Sequence, residues 1–265
     1  MVENNKHIIL KTNNLTIGYA VKKQQTIIAR DINLSLEKGQ LVCLLGKNGI
    51  GKSTLLRTIS KVQPSLLGDL FIENKKIEQI SAQALAKKMS LVLTERIPES
   101  NLTVYELIAL GRQPYTNWIG NITAEDEQYI QQAIEQVNIK SLQGQKCDEL
   151  SDGQLQKVMI ARALAQNTEL IILDEPTAHL DIHHKIEVFN LLQTLVTELG
   201  KTIITSTHEV QLALQLADTL WLMAEQNFTS GQTKDLINNG SLDTLFSSEL
   251  VEFDSKTKQF IVKKP

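Results

Sequence analysis

The segment Gly46-Lys47-Asn48-Gly49-Ile50-Gly51-Lys52-Ser53-Thr54 leaves this chain few ways to fold. It fits G-x-x-x-x-G-K-[ST] and follows an apolar run, Leu41-Val42-Cys43-Leu44-Leu45. Such a run reads as a strand buried on both faces. The glycines let the backbone curl so that successive N–H groups point at phosphate oxygens. A helix from about Ser53 would aim its positive end at the same anion. Lys52 would bridge the β- and γ-phosphates, and Ser53 would place its hydroxyl on Mg²⁺. Strand, loop and helix in this order imply an α/β fold.

Two more segments fit the same chemistry. Leu170-Ile171-Ile172-Leu173 reads as a second buried strand, which places Asp174 at its carboxyl end, where open α/β sheets bind ligands. Asp174 would hold the Mg²⁺ shell with Ser53, and Glu175 would polarise the attacking water. The structural alternative for Glu175 is a capping carboxylate before Pro176. Leu150-Ser151-Asp152-Gly153-Gln154 is a Ser/Gly-rich turn opening a helix, able to hold a nucleotide from the other side. Together the three point to an ATPase whose site is completed by a second copy of itself.

With these residues in view the chain resembles the ATP-binding subunits of ABC transporters over nearly its whole length. Gly46 to Thr54 is similar to Walker A, Leu170 to Glu175 to Walker B, and Leu150 to Gln154 to the LSGGQ signature. Ala178-His179-Leu180-Asp181 sits at the D-loop, His208 at the switch histidine, and Tyr19 at the aromatic that stacks on adenine. The resemblance implies a P-loop NTPase (RecA-like) core with an N-terminal antiparallel β subdomain and an inserted α-helical subdomain. It also implies that Ser151, Asp152, Gly153 and Gln154 face the γ-phosphate held by the partner's P-loop, so that a head-to-tail homodimer makes two whole sites.

The sequence departs from the family at three places. The Q-loop glutamine is missing from Leu91-Val92-Leu93-Thr94-Glu95-Arg96, and Thr94 or Glu95 is expected to supply the oxygen near Mg²⁺. Asp152 replaces a signature glycine; a carboxylate near a γ-phosphate is repelled, so its side chain is expected to point away. Ala178 and His179 replace the D-loop serine and alanine. His179, Asp181, His183 and His184 crowd together, but their spacing fits no compact tetrahedral metal site.

Residues 1–265 read as one ATP-binding domain: about 7–40 antiparallel, 41–94 and 161–224 the P-loop core, 95–160 helical, and 225–265 a short tail. Thr123 starts a helix with Ile130, Ala133, Ile134 and Val137 on one face, and Lys185 to Leu199 reads as an amphipathic helix with Ile186, Phe189, Leu192, Val196 and Leu199 inward. A net charge of −3 leaves no basic footprint for nucleic acid. Met1 to Lys11 shows no signal peptide, apolar runs are strand-length, and Cys43 and Cys147 make no disulfide framework, so a reducing cytosol is expected.

The stretch Leu102 to Tyr115 is similar to ATPases that drive uptake of iron–siderophore, haem and cobalamin. Pro114, Tyr115 and Trp118 would either form a docking groove for a permease or pack inside the helical lobe. The expected assembly is two copies peripheral to the cytoplasmic face of the inner membrane, beneath two transmembrane permease subunits, with an extracytoplasmic binding protein delivering the cargo. Alternatives are an exporter, another uptake system, a soluble non-transport relative, or a nonhydrolytic module.

Overall fold

The computed structural model describes residues 7–22, 24–93, 101–116, 120–225, 227–242, 251–254, 257 and 259–262. Strands β1 (Ile8–Val21) and β2 (Gln24–Glu37) form a long antiparallel ribbon, and β3 (Leu41–Gly46) runs into helix α1 (Lys52–Ile59). Then come β4 (Leu67–Ile72), β5 (Lys75–Lys76), α2 (Ala82–Ala86) and β6 (Met89–Val92). Three helices follow: α3 (Val104–Ala109), α4 (Ala124–Gln136) and α5 (Asp152–Ala165). The chain returns through β7 (Leu170–Asp174), α6 (Ile182–Thr197), β8 (Thr202–Ser206), α7 (Val210–Leu216) and β9 (Thr219–Ala224). It continues through β10 (Asn227–Gln232), α8 (Thr233–Asn238) and the hairpin β11 (Val251–Asp254) and β12 (Gln259–Val262).

The larger sheet has the order β10-β9-β3-β8-β7-β6, parallel except for β10, which pairs antiparallel at the edge. β3 lies inside it between β8 and β9, which explains its unbroken apolar run: every residue from Leu41 to Gly46 is buried. The smaller sheet, β2-β1-β4-β5, packs over α1 and one face of the larger sheet through Leu10, Leu15, Ile17, Leu70, Ile72, Leu55 and Leu56. On the opposite face, α6 joins the helical lobe in one core with Val104, Leu107, Ile134 and Val158.

The pairing moves two pieces of chain out of their expected places. β4 and β5 fall within 41–94 yet belong to the antiparallel sheet, because β4 pairs with β1 from Leu10↔Ile72 to Thr16↔Leu67. β10 follows residue 224 yet extends the larger sheet, Asn227↔Ala224 through Gln232↔Thr219. Neither pairing leaves a local signal.

Helix α4 begins as expected, with a capping box in which Thr123 and Asp126 satisfy one another's backbone N–H groups, and Ile130, Ala133, Ile134 and Val137 are buried. Helix α6 corrects the expected inward face. Val188, Phe189, Leu192, Leu195 and Val196 are buried, whereas Ile186 and Leu199 are exposed. At 100° per residue Ile186 stands roughly 120° from the middle of that stripe, and Leu199 lies past the last helical residue. Among the described residues no helix is long and apolar enough to cross a membrane.

Candidate nucleotide site

β8 sits between β3 and β7, with Ser206 in register with both Leu44 and Asp174. The carboxyl ends of these three strands carry the P-loop, the acidic pair and His208. At the loop, Gly51 is the N-cap of α1 with φ +113, and a Cβ there would sit 2.1 Å from Ile28 Cγ2. Both the backbone angle and the closeness of β2 demand glycine. Lys52 is buried, its ammonium donating to the carbonyls of Gly46 (3.0 Å) and Lys47 (3.4 Å). Burial pushes the Lys52 pKa down, and the facing Glu175 and Asp174 offset only part of that.

Glu175 is the meeting point. One carboxylate oxygen, Oε1, lies 3.5 Å from Lys52 Nζ and 2.7 Å from His208 Nε2. Its backbone is in the left-handed region, φ +49, uncommon for a residue with a Cβ, and this turns the side chain away from the line of β7. Glu175 is therefore no simple cap before Pro176. Asp174 is buried and accepts from Ser206 Oγ at 2.6 Å. Ser53, one residue beyond Lys52, is half-buried at the start of α1. A hydroxyl and a carboxylate are hard oxygen donors, and the remaining ligands of Mg²⁺ are ordinarily phosphate oxygens and water, so the donor set fits that ion.

Tyr19 lies on β1 with its hydroxyl 2.6 Å from Thr54 Oγ1 in the first turn of α1. Tyr19 is 47% exposed, so the bond holds its hydroxyl while much of the residue stays open to solvent. Lys47, Asn48 and Gly49 are exposed at the tip of the loop, while Ile50 packs partly against the core beneath the antiparallel sheet.

The signature turn lies on a different element. Ser151 caps α5 in a capping box with Gln154: Ser151 Oγ accepts from Gln154 N at 3.3 Å, and Gln154 Oε1 accepts from Ser151 N at 3.0 Å. Asp152 is exposed in the first helical turn, where a negative charge favours the helix N-terminus. Gly153 is buried against α6; a Cβ there would come within 2.5 Å of the His184 ring. His184 Nδ1 lies 2.8 Å from Asp181 Oδ2, and Asp181 also accepts from His184 N, capping α6. The histidine-rich segment thus ties the signature helix to the D-loop. Within the signature Leu150 packs against the core of the helical lobe, Ser151 and Gln154 bond one another and Gly153 lies against His184, while Lys52, Asp174, Glu175 and His208 gather at the strand ends.

Thr94, Glu95 and Trp118 lie outside the described residues. Tyr115 takes the packed course in part: Arg112 stacks on its ring at 4.0 Å and Lys87 stands over it at 4.9 Å. One participant had no role in the sequence reading: Ser206, which bonds Asp174 and the backbone of Glu175. The run Thr205-Ser206-Thr207 ahead of His208 was the available signal: Thr205 and Ser206 finish a strand begun by Thr202-Ile203-Ile204, and Thr207 follows it.

Comparison with known proteins gives one consistent result. Residues 29–178 match the family profile described as ABC transporter. The chain is 41% identical over 215 residues to an ABC transporter ATP-binding protein of Methanocaldococcus jannaschii, covering 81% of this chain and 73% of that one. It is 36% identical to the achromobactin transport ATP-binding protein of Dickeya dadantii, over 90% of this chain and 87% of that one. It is 38% identical to the iron(3+)-hydroxamate import ATP-binding protein of Bacillus subtilis, over 78% and 76%. Among solved structures, a bacterial ABC transporter cassette in dimeric form superposes with a TM-score of 0.72 at 26% identity, covering 85% of this chain and 99% of that one.

Proposed function

The chain belongs to the ABC transporter ATP-binding family, whose members hydrolyse ATP to power transport, and on that premise we propose that it energises uptake of an iron chelate or a related cofactor such as haem or cobalamin. The observation that supports the chemistry best is the shared carboxylate of Glu175, within reach of Lys52 and His208 at once. In this reading Lys52 leaves the Gly46 and Lys47 carbonyls for the β- and γ-phosphates, and the N–H groups of the loop complete the cradle. Ser53 and Asp174 hold Mg²⁺, which when bound offsets the charge developing on the phosphates. Glu175 orients the attacking water and takes its proton, while His208 fixes the carboxylate and reaches toward the γ-phosphate. Thr94 or Glu95 supplies the oxygen that a Q-loop glutamine would give.

Ser151, Gly153 and Gln154 face a second copy's nucleotide, with Asp152 turned outward. The exposed start of α5 supports this, since a helix N-terminus favours an anion. ATP then closes two copies head to tail, and hydrolysis reopens them. The pair works at the cytoplasmic face of the membrane beneath two permease subunits, with an extracytoplasmic protein delivering cargo. The iron-chelate reading is supported by the achromobactin and iron(3+)-hydroxamate relatives. Uptake of labelled ferric hydroxamate, ferric citrate-type chelates, haem and cobalamin by cells lacking this chain tests the cargo. Loss of uptake for one class is expected; unchanged uptake of all four refutes the assignment.

Two substitutions test individual roles. Tyr19→Ala removes the stacking face and should weaken ATP binding by roughly 10-fold in equilibrium titration. Tyr19→Phe, which loses only the bond to Thr54, should weaken it less. Equal, unchanged affinity in both variants removes Tyr19 from the site. For the Q-loop substitute, one of Thr94→Ala and Glu95→Ala should lower ATP turnover and raise the Mg²⁺ concentration it needs. Wild-type behaviour in both would place the missing oxygen elsewhere.

A further inference from the structure

Ser206 ends β8 fully buried, and its single hydroxyl serves both acidic residues of the site. Oγ donates to Asp174 Oδ1 at 2.6 Å and accepts from the backbone N–H of Glu175 at 2.9 Å. The directions are forced: an ionised carboxylate only accepts and an amide N–H only donates. The hydroxyl therefore has no competing orientation, and it couples two consecutive residues that face different tasks, Asp174 at the end of β7 and Glu175 just past it. We propose that Ser206 is a positioning residue for hydrolysis, fixing which Asp174 oxygen is presented to Mg²⁺ and holding Glu175 in the turn that aims its carboxylate at His208 and Lys52. The inference rests on the roles given above to Asp174 and Glu175.

The physical case has two parts. A carboxylate that ligates a metal is oriented by the hydrogen bond on its other lone pairs, so a donor fixed in the sheet limits its rotation. The Glu175 backbone, at φ +49, lies in a region that is strained for a residue with a Cβ and persists only where neighbours over-determine it. The bond from Glu175 N to Ser206 Oγ is one such restraint, and its acceptor is held by β8, flanked on both sides by paired strands. Removing the hydroxyl leaves the Glu175 N–H without this acceptor and Asp174 with one donor fewer.

The test compares wild type with Ser206→Ala and with Ser206→Cys, a side chain of similar volume but a weak donor. Mn²⁺ binding to the ADP-loaded protein, read by electron paramagnetic resonance, is expected to weaken by about 10- to 100-fold in Ser206→Ala, with kcat falling over a similar range. ATP affinity measured without metal should stay unchanged, as should the melting profile of Ser206→Cys. Wild-type Mn²⁺ affinity and kcat in both variants overturn the proposal. So does a parallel loss of metal-free ATP binding, because Ser206 would then serve the fold and not the acidic pair. Asp174→Asn is measured alongside. If it binds Mn²⁺ like wild type, the metal role of Asp174 falls and takes the Ser206 proposal with it. If it loses Mn²⁺ while the Ser206 variants keep it, only the Ser206 proposal fails.

Discussion

Glu175→Gln is expected to stop steady ATP turnover, lowering kcat by at least about 100-fold, while ATP still binds. Glutamine keeps the size and reach of the side chain and can still accept from His208 through its carbonyl oxygen. It cannot take a proton from water, and it removes the negative charge facing Lys52. The groups that grip the triphosphate, Lys52 and the amides of Gly49 to Thr54, are untouched, so the loss belongs in kcat and not in affinity. Steady-state turnover with a parallel ATP titration separates the two. Retention of more than a small fraction of wild-type kcat would show that Glu175 is not the base and that its contacts with Lys52 and His208 only hold the strand end together.

Arg112→Met should cost the most stability. The Arg112 guanidinium is buried in the helical lobe, where Nε donates to Asp126 Oδ1 at 2.8 Å and Nη1 to the Ala165 carbonyl at 2.7 Å. It stacks between Tyr115 at 4.0 Å and Tyr129 at 4.4 Å. One side chain thus joins the segment after α3 to α4 and to the end of α5. Taking it away leaves the Asp126 carboxylate buried without its counter-charge, a loss of about 3–5 kcal/mol. For a chain of this size the melting temperature should fall by on the order of 10 °C. Adding Asp126→Asn removes the stranded charge while keeping an acceptor for the Thr123 cap, so the double variant should recover much of the loss.

The pH dependence follows from the same contacts. Burial pushes the Asp126 pKa up, but hydrogen bonds from Thr123 and the bond and charge of Arg112 more than offset it, and the net shift is downward. A lowered folded-state pKa gives stability that is present above the unfolded value, about 3.9, and lost as pH falls through the folded value. Arg112→Met should therefore be most damaging near neutral pH and less so in acid, where a protonated Asp126 needs no counter-charge. A stability gap between variant and wild type that stays constant on acidification would refute this account.

Much of the site was legible because its signals are short and their chemistry is local. The P-loop spans consecutive residues, and its Lys52 and Gly51 stand where the motif requires. Ser151 and Thr123 announce capping boxes within four residues. The apolar runs ending at Leu45 and Leu173 are strands because parallel strands inside a sheet are covered on both faces. His208 follows its strand by two residues and lies 2.7 Å from Glu175 Oε1.

Other features depend on residues far apart in the chain that meet only when the sheets assemble. Nothing near Leu67–Ile72 says that this strand leaves the P-loop core to pair with β1, and nothing near Asn227 says that the sheet continues there. His184 lies thirty-one positions beyond Gly153, yet its ring stands within 2.5 Å of where a Cβ at that place in the signature would sit. Ser206 is an ordinary strand serine in the sequence; the parallel register that sets it beside Asp174 makes it a partner of both carboxylate-bearing residues. The amino-acid order alone determined which groups can bind phosphate, ligate a cation and accept a proton, because those capacities belong to the residues and their immediate turns. Their mutual aim, and which lone pair faces which donor, was decided by tertiary structure, because hydrogen-bond geometry and burial depend on strand register and packing between distant segments.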